Sequence, residues 1–252
     1  MVLIATLWKA FVLGAAITLV VASPTPRDYG VDGGDKLDDG DCLEQSFCDP
    51  KSPNYCDGTI YSNSKYLCGD WRLGPLMLPE HFPLDTFVAI YDRLGGLCPK
   101  DWLAKYWNCT SESFIYPPDN GFQLDIKCDP IEGTSQLDKG TYIDRFGGEG
   151  GFFASPAAAP YMQRSLPPSN LDWPQTTPVV PYNYHLYQVL RPFDVVSGPI
   201  AAWFEQPGQG VQYNLPFNIS TLLCDGFIRE VDTTKFLDQW DKNHWASKQE
   251  QA

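Results

Sequence analysis

Eight cysteines are spread unevenly along this chain of 252 residues: Cys42, Cys48, Cys56, Cys68, Cys98, Cys109 and Cys128 fall in the first half, and Cys224 stands alone downstream. No CxxC pair argues for zinc. Residues 1–22 are almost wholly apolar apart from Lys9 and read as a secretory signal cleaved after Ala22; a retained membrane anchor is the alternative. In an oxidising compartment eight cysteines point to disulfides, with four bridges as the natural count. If all eight pair, one upstream cysteine must bond Cys224, which would fasten the last third of the chain to the first. Which cysteine does so is not readable from sequence.

Two acceptor tripeptides for N-glycosylation, at Asn108 and Asn218, fit the same route and place both residues at the surface. The net charge of −13 argues against nucleic acid as a partner, because neutralising phosphates requires a basic face. It leaves room for a small anionic ligand, since a few arginines can make a local positive pocket. Residues 23–41 are rich in Pro, Gly and Asp with little to bury, and read as a solvated linker. An EF-hand spacing is absent there.

Residues 42–130 carry turn signals between closely spaced cysteines and predict a small disulfide-pinned, partly helical unit. Leu84, Phe87, Val88, Tyr91 and Leu94 follow helical spacing, with Gly95-Gly96 as a stop, and a shorter helix is predicted over 101–107. After residue 131 short β-prone runs dominate: 141–144, 151–154, 184–190, 200–204, 211–215 and 227–231. Asn218 or Ser220 caps a short helix that Gly226 ends. The proline-rich stretch 166–181 reads as a long loop over one edge, and 233–252 as a polar tail. The predicted class is therefore α+β, a mainly β unit over 131–232 preceded by the cysteine-rich one.

Familiar hydrolytic and nucleotide-binding patterns are missing. The three histidines, His81, His185 and His244, are not accompanied by a GxSxG elbow or an HExxH helix. The cluster Gly147-Gly148-Glu149-Gly150-Gly151 is followed by the β-prone run Phe152-Phe153-Ala154, whereas a Rossmann phosphate turn needs a helix N-terminus there. A glycine-rich turn between two strands is the simpler reading.

Several ordered motifs do carry a family resemblance. The runs Tyr142-Ile143-Asp144-Arg145-Phe146-Gly147, Gly151-Phe152-Phe153-Ala154-Ser155-Pro156 and Gln163-Arg164-Ser165-Leu166-Pro167 resemble the opening of the tuberculosis necrotizing toxin domain. Its closing part is similar to Gly198-Pro199-Ile200-Ala201, Trp203-Phe204-Glu205-Gln206-Pro207-Gly208 and Gly210-Val211-Gln212-Tyr213, followed by Leu222-Leu223 and Gly226-Phe227. Members of that family hydrolyse NAD or NADP to nicotinamide and the ADP-ribose product. The cysteine-rich first half further resembles the family's secreted fungal surface enzymes, which are homodimers and bind calcium. The resemblance implies a compact, mainly β catalytic domain, NAD(P) as substrate, no redox cofactor and no stable membrane span after signal cleavage.

The residues in these motifs suit that chemistry. A pyrophosphate calls for guanidinium forks, and Arg145 and Arg164 are the candidates. Cleaving the nicotinamide–ribose bond releases a neutral pyridine from a pyridinium, so the paired carboxylates of ordinary glycosidases are not required. Gln212 can then orient ribose and water, an effect worth roughly a few kcal/mol for one well-aimed group. Phe146, Phe153 and Trp203 are candidates for stacking on nicotinamide or adenine. Asp144 would hold Arg145. Calcium would draw on Glu230, Asp232 and Asp238, although a solvated acidic surface is the more economical account of these residues. Two other functions fit less of the sequence: a non-catalytic surface protein, and an ADP-ribosyltransferase that would need a catalytic glutamate, for which Glu205 is the nearest.

Overall fold

The computed structural model describes residues 48–172 and 180–233, all within one compact unit. The expected signal, linker and all of the tail after Thr233, together with Cys42, Asp238 and His244, lie outside the described residues.

Two short helices shape the cysteine-rich stretch. Helix α1 (Leu84–Val88) buries Leu84, Phe87 and Val88 but stops well before the predicted end at Leu94. Further on, helix is not resumed over the predicted stretch, because the Asp92 carboxylate accepts the Leu94 and Gly95 N–H groups at 3.3 and 3.1 Å and competes for those backbone donors. Tyr91 and Leu94 are buried all the same, so the apolar spacing marked a buried face and not a helix. Helix α2 (Pro99–Tyr106) begins with proline in its first turn, where the missing N–H costs nothing. A two-stranded hairpin, β1 (Trp107–Asn108) and β2 (Ser113–Phe114), follows.

The rest is an antiparallel sheet of seven strands: β3 (Gly133–Leu137), β4 (Tyr142–Phe146), β5 (Phe153–Pro156), β6 (Tyr184–Val189), β7 (Phe193–Pro199), β8 (Val211–Asn214) and β9 (Ile228–Glu230). Their spatial order is β3-β7-β8-β5-β4-β6-β9. Strands β3 and β7 were not expected. The first is polar and exposed along four of its five residues, so it carries no apolar alternation to read. In β7 the alternation Phe193, Val195 is present but Asp194 and the Ser197-Gly198-Pro199 end disguise it. The strand expected over 200–204 is instead a turn with Phe204 and Glu205 at positive φ. Helix α3 (Ile219–Cys224) forms as predicted, with the Asn218 side chain accepting from Thr221 N at 2.9 Å and Gly226 at φ 69° just beyond.

One apolar cluster lies under the sheet and α3 and includes Ile143, Tyr187, Val189, Leu215, Leu222 and Ile228. Two others join the halves of the chain. Phe87, Val88 and Tyr91 pack with Phe146, Tyr161, Leu171 and Tyr184, while Trp102, Tyr106 and Phe114 pack with Phe204. The described part of the proline-rich stretch is correspondingly not a loop laid over an edge. Residues Pro168–Asp172 form a 3-10 turn whose Leu171 is fully buried.

Disulfides join Cys48 to Cys98 and Cys56 to Cys68. Cys109, Cys128 and Cys224 are unbridged and exposed, so the covalent tie expected from Cys224 is not formed among the described residues. Among the described residues, burial of shared side chains does the joining.

Candidate active site

Strand β4 delivers both arginine sites. Residues alternate across a strand, so Asp144 and Phe146 face one side of the sheet while Ile143 and Arg145 face the other. Next to β4 lies β5, and next to β5 lies β8, which brings Phe153 and Gln212 within reach of the end of β4. The turn between β4 and β5 is the glycine cluster. It folds over the Arg145 guanidinium, whose Nε donates to the carbonyls of Gly147 and Gly148 at 3.2 and 3.0 Å and whose Nη1 donates to the Phe153 carbonyl at 2.6 Å. A Cβ at Gly151 would stand 2.0 Å from Nη2, so a side chain there and the arginine exclude one another. No acidic side chain forms an ion pair with Arg145 among the described residues. Its charge is held by carbonyl dipoles alone, and burial lowers its pKa from the usual arginine value.

Arg164 is placed differently. It ends the 3-10 turn Tyr161–Arg164 and is buried. Its Nη1 and Nη2 meet the two oxygens of Asp144 at 2.6 and 3.0 Å, and Nε and Nη2 also donate to the Ala159 carbonyl. Asp144 further accepts from Ala158 N and from the Tyr184 hydroxyl. Four of the five N–H donors of Arg164 therefore have protein partners. The acid expected to steady Arg145 steadies Arg164, and the side chain of Arg164 is committed to the fold.

A cavity of about 410 Å³ opens where these elements meet, lined by Arg145, Phe153, Arg164, Leu166, Ile200 and Gln212. That volume lies within the range of roughly 300–1,000 Å³ usual for ligand pockets. A narrow recess of about 40 Å³ continues behind it between Arg145, Phe153 and Gln212. The opposite wall, Tyr116, Pro117, Asn120 and Gly121, comes from the cysteine-rich half. Gln212 Nε2 donates to the Asn120 carbonyl at 2.8 Å, which fixes the amide and leaves its oxygen free of that bond. Sequence reasoning missed this wall because it lies outside the motifs and reaches the cavity only through tertiary pairing, Ala201 N to Gly121 O and Gln123 N to Pro199 O.

Two aromatic expectations change. Phe146 is 1% exposed and packed against Phe87, Tyr161 and Tyr184, with the Arg164 guanidinium 5.1 Å over its ring. It is core beneath the site and not a platform in it. Trp203 does not line the cavity; it donates through Nε1 to the Ile115 carbonyl at 2.7 Å and packs edge-on to Tyr106. Glu205 is engaged with Lys105 and with the Tyr106 hydroxyl, and does not line the cavity either.

A larger cleft of about 600 Å³ lies beside Cys48 and Leu97. Its one lining arginine, Arg93, donates to the carbonyls of Leu73 and Pro75, and none of the motif residues reaches it. Of the expected calcium ligands, Glu230 is bonded to His185 Nδ1 at 2.8 Å and stands near Glu149, not in an all-oxygen shell. Calcium takes about six to eight oxygen ligands, so this part of the set fits it poorly. Asn108 is exposed, and Asn218 is half-buried as the helix cap.

Residues 136–231 match the family model for the tuberculosis necrotizing toxin. Over 186 residues the chain is 46% identical to the conidial surface nicotinamide adenine dinucleotide glycohydrolase nadA of Aspergillus fumigatus, an alignment covering 73% of this chain and 79% of that protein. Among solved structures, tuberculosis necrotizing toxin complexed with its immunity factor is 14% identical with a TM-score of 0.44, covering 68% of this chain and 98% of that one. Rhs1-CT in complex with its cognate immunity protein is 16% identical with a TM-score of 0.28, covering 46% and 83%. No helix among the described residues is long and apolar enough to cross a membrane. The sequence relationship decides the family: this chain belongs to the tuberculosis necrotizing toxin family, beside the fungal surface glycohydrolase.

Proposed function

We infer that the protein is an NAD glycohydrolase, cleaving the bond between nicotinamide and ribose to give nicotinamide and ADP-ribose. One observation in the geometry carries this: an arginine without a carboxylate partner, an aromatic ring and a fixed amide converge on a single cavity. Arg145 binds the pyrophosphate. Its guanidinium is already desolvated and oriented by three carbonyls, so little freedom is lost when an anion arrives. Phe153 is the remaining candidate for stacking on a ring of the substrate. Gln212, held through Nε2, presents its amide oxygen to the ribose or to the attacking water as positive charge develops on the sugar. Since the leaving group departs neutral, the cavity needs no general acid, in keeping with the carboxylate of Asp144 being consumed by Arg164.

The cysteine-rich stretch acts as a scaffold and supplies one wall of the site through Tyr116 to Gly121. Secretion to the cell surface belongs to the same reading, supported by the apolar leader and the surface location in the relative's name; a homodimer comes from the resemblance alone, and glycosylation at Asn108 and Asn218 from the two acceptor tripeptides. Calcium belongs to this reading only through the resemblance to the fungal surface enzymes. Transfer of ADP-ribose to a protein is disfavoured because Glu205 is tied to Lys105 and Tyr106 away from the cavity.

The test is turnover of etheno-NAD by the purified secreted chain, with product analysis. Free etheno-ADP-ribose and nicotinamide in equal amounts are expected; label incorporated into protein, or no turnover with calcium present, would overturn the assignment. The same assay with NADP decides whether the 2′-phosphate is admitted.

A further inference from the structure

Away from the cavity mouth, at the β4-β6-β9 end of the sheet, three metal-ligating side chains meet. In the register Arg145 opposes His185 and Glu230 opposes Tyr187, and directly opposed residues project to the same face. His185, 8% exposed, points its Nδ1 at Glu230 Oε1, 2.8 Å away. Glu149 arrives from the glycine turn, its backbone pinned where its carbonyl accepts Ser220 N at 3.0 Å. One ligand atom from each of Glu149, His185 and Glu230 lies within 4.8 Å of the other two.

A second feature points to a ligand here. Tyr187 is fully buried and its hydroxyl has no hydrogen-bond partner. Its ring stacks parallel to that of His185, and Glu230 stands directly opposite it on the same face of the sheet. A buried donor beside two crowded carboxylates is an unbalanced arrangement for the protein alone. An ion that drew the carboxylates together would neutralise their repulsion and bring an acceptor, a ligated carboxylate oxygen or an ion-bound water, to the phenol.

We propose that Glu149, His185 and Glu230 form a binding site for a divalent transition-metal ion of the zinc type. The donor set is one imidazole nitrogen and two carboxylate oxygens, which suits borderline cations and leaves a fourth position open. Metal–ligand distances of about 2.0–2.2 Å put donors roughly 3.3 Å apart in a tetrahedron. The His185–Glu230 pair, 2.8 Å apart, opens by about 0.5 Å to reach that spacing, and Glu149, half-buried on its turn, closes the remainder by side-chain rotation. Calcium, which prefers an all-oxygen shell, is the wrong occupant. If the active-site reading above holds, the ion also braces the turn whose Gly147 and Gly148 carbonyls hold Arg145.

The experiment is calorimetric titration of the untagged full chain, stripped with chelator, with zinc chloride and separately with calcium chloride, alongside thermal unfolding. One zinc per chain at this site is expected, with a raised Tm. Glu149→Gln should weaken zinc binding at least tenfold, as should His185→Gln, and neither should alter calcium binding. Glu149 is half-buried on a turn outside the core, so that variant reports even if the His185 variant is unstable. Equal zinc affinity in the wild type and in Glu149→Gln, or zinc binding no tighter than calcium, would overturn the site. Neither readout uses NAD, so loss of the metal proposal leaves the glycohydrolase reading standing, and the reverse.

Discussion

Arg145 and Arg164 come from the same set of motifs, border the same cavity and are held in opposite ways. Around Arg164 a carboxylate, a carbonyl and a tyrosine hydroxyl complete a neutral, buried network. Around Arg145 there are three carbonyls and no anion. A guanidinium whose charge is already matched belongs to the fold, whereas one that is desolvated and unmatched is poised for an anionic ligand. Electrostatic balance, more than proximity to the cavity, separates the two roles.

The sharpest way to break that comparison is to truncate each arginine. Removing one member of a buried ion pair strands its partner and costs about 3–5 kcal/mol. Arg164→Ala should therefore lower the denaturant midpoint severely, because Asp144, fully buried, keeps a charge without a counter-ion. Chemical denaturation followed by tryptophan fluorescence measures this; a variant as stable as the wild type would mean that the pair is not a structural unit.

Arg145→Ala should do the reverse. By analogy with one lost transition-state donor, kcat/KM falls about 10²–10³-fold, with the unfolding transition little changed. Arg145→Lys should not restore activity, since an ammonium cannot reach two carbonyls and a phosphate with one planar fork. Recovery by lysine would show that point charge, not geometry, is what the site uses.

Asp172 is the anionic counterpart of a poorly matched group. It is buried, and Lys65 is 3.6 Å away. Burial raises its pKa to about 6, with Lys65 opposing the shift. Because the folded pKa lies above the unfolded one, the contribution to stability is present below about pH 4 and is lost as pH rises through 6. Asp172→Asn should remove that slope and stabilise the protein at pH 7.5 by at most about 3 kcal/mol, measured as Tm against pH. A parallel pair of curves would contradict the assignment.

How much of this was legible beforehand differs by region. The motif arginines, Phe153 and Gln212 could be named from the chain, and the sheet brings them to one cavity. The division of labour between the arginines could not, because Asp144 is adjacent to Arg145 in sequence but faces the other side of β4, towards Arg164. Alternation across a strand makes the nearest neighbour in sequence the wrong partner in space. The aromatic positions failed for a related reason: Phe146 shares the side of Asp144 and is core. The wall from Tyr116 to Gly121 had no local signal, since a loop acquires a role in a pocket only through the tertiary contacts that place it.

Gly151→Ala tests whether the glycine turn exists for Arg145. The added methyl would occupy the space of Nη2, and the guanidinium, as the mobile end of a side chain, would move away. The fold should survive with little change in Tm while kcat/KM drops by about tenfold, equivalent to about 1.4 kcal/mol. A larger loss of stability than of activity would mean that the turn, and not the arginine, gave way.

Trp203→Phe carries the smallest effect and decides between stacking and packing. If Trp203 contacted a substrate ring, the shorter aromatic would raise KM. The geometry predicts otherwise: the indole Nε1–H is bonded to the Ile115 carbonyl, and the ring rests on Tyr106 in the cluster that joins the cysteine-rich stretch to the sheet. Phenylalanine keeps much of that apolar contact and loses the hydrogen bond, which costs about 0.5–1.5 kcal/mol. KM for NAD should stay at its wild-type value while the denaturant midpoint falls slightly. Since Ile115 precedes Tyr116 on the wall of the cavity, a change in KM without any loss of stability would move Trp203 back into the site and make the joint between the two halves a part of substrate binding.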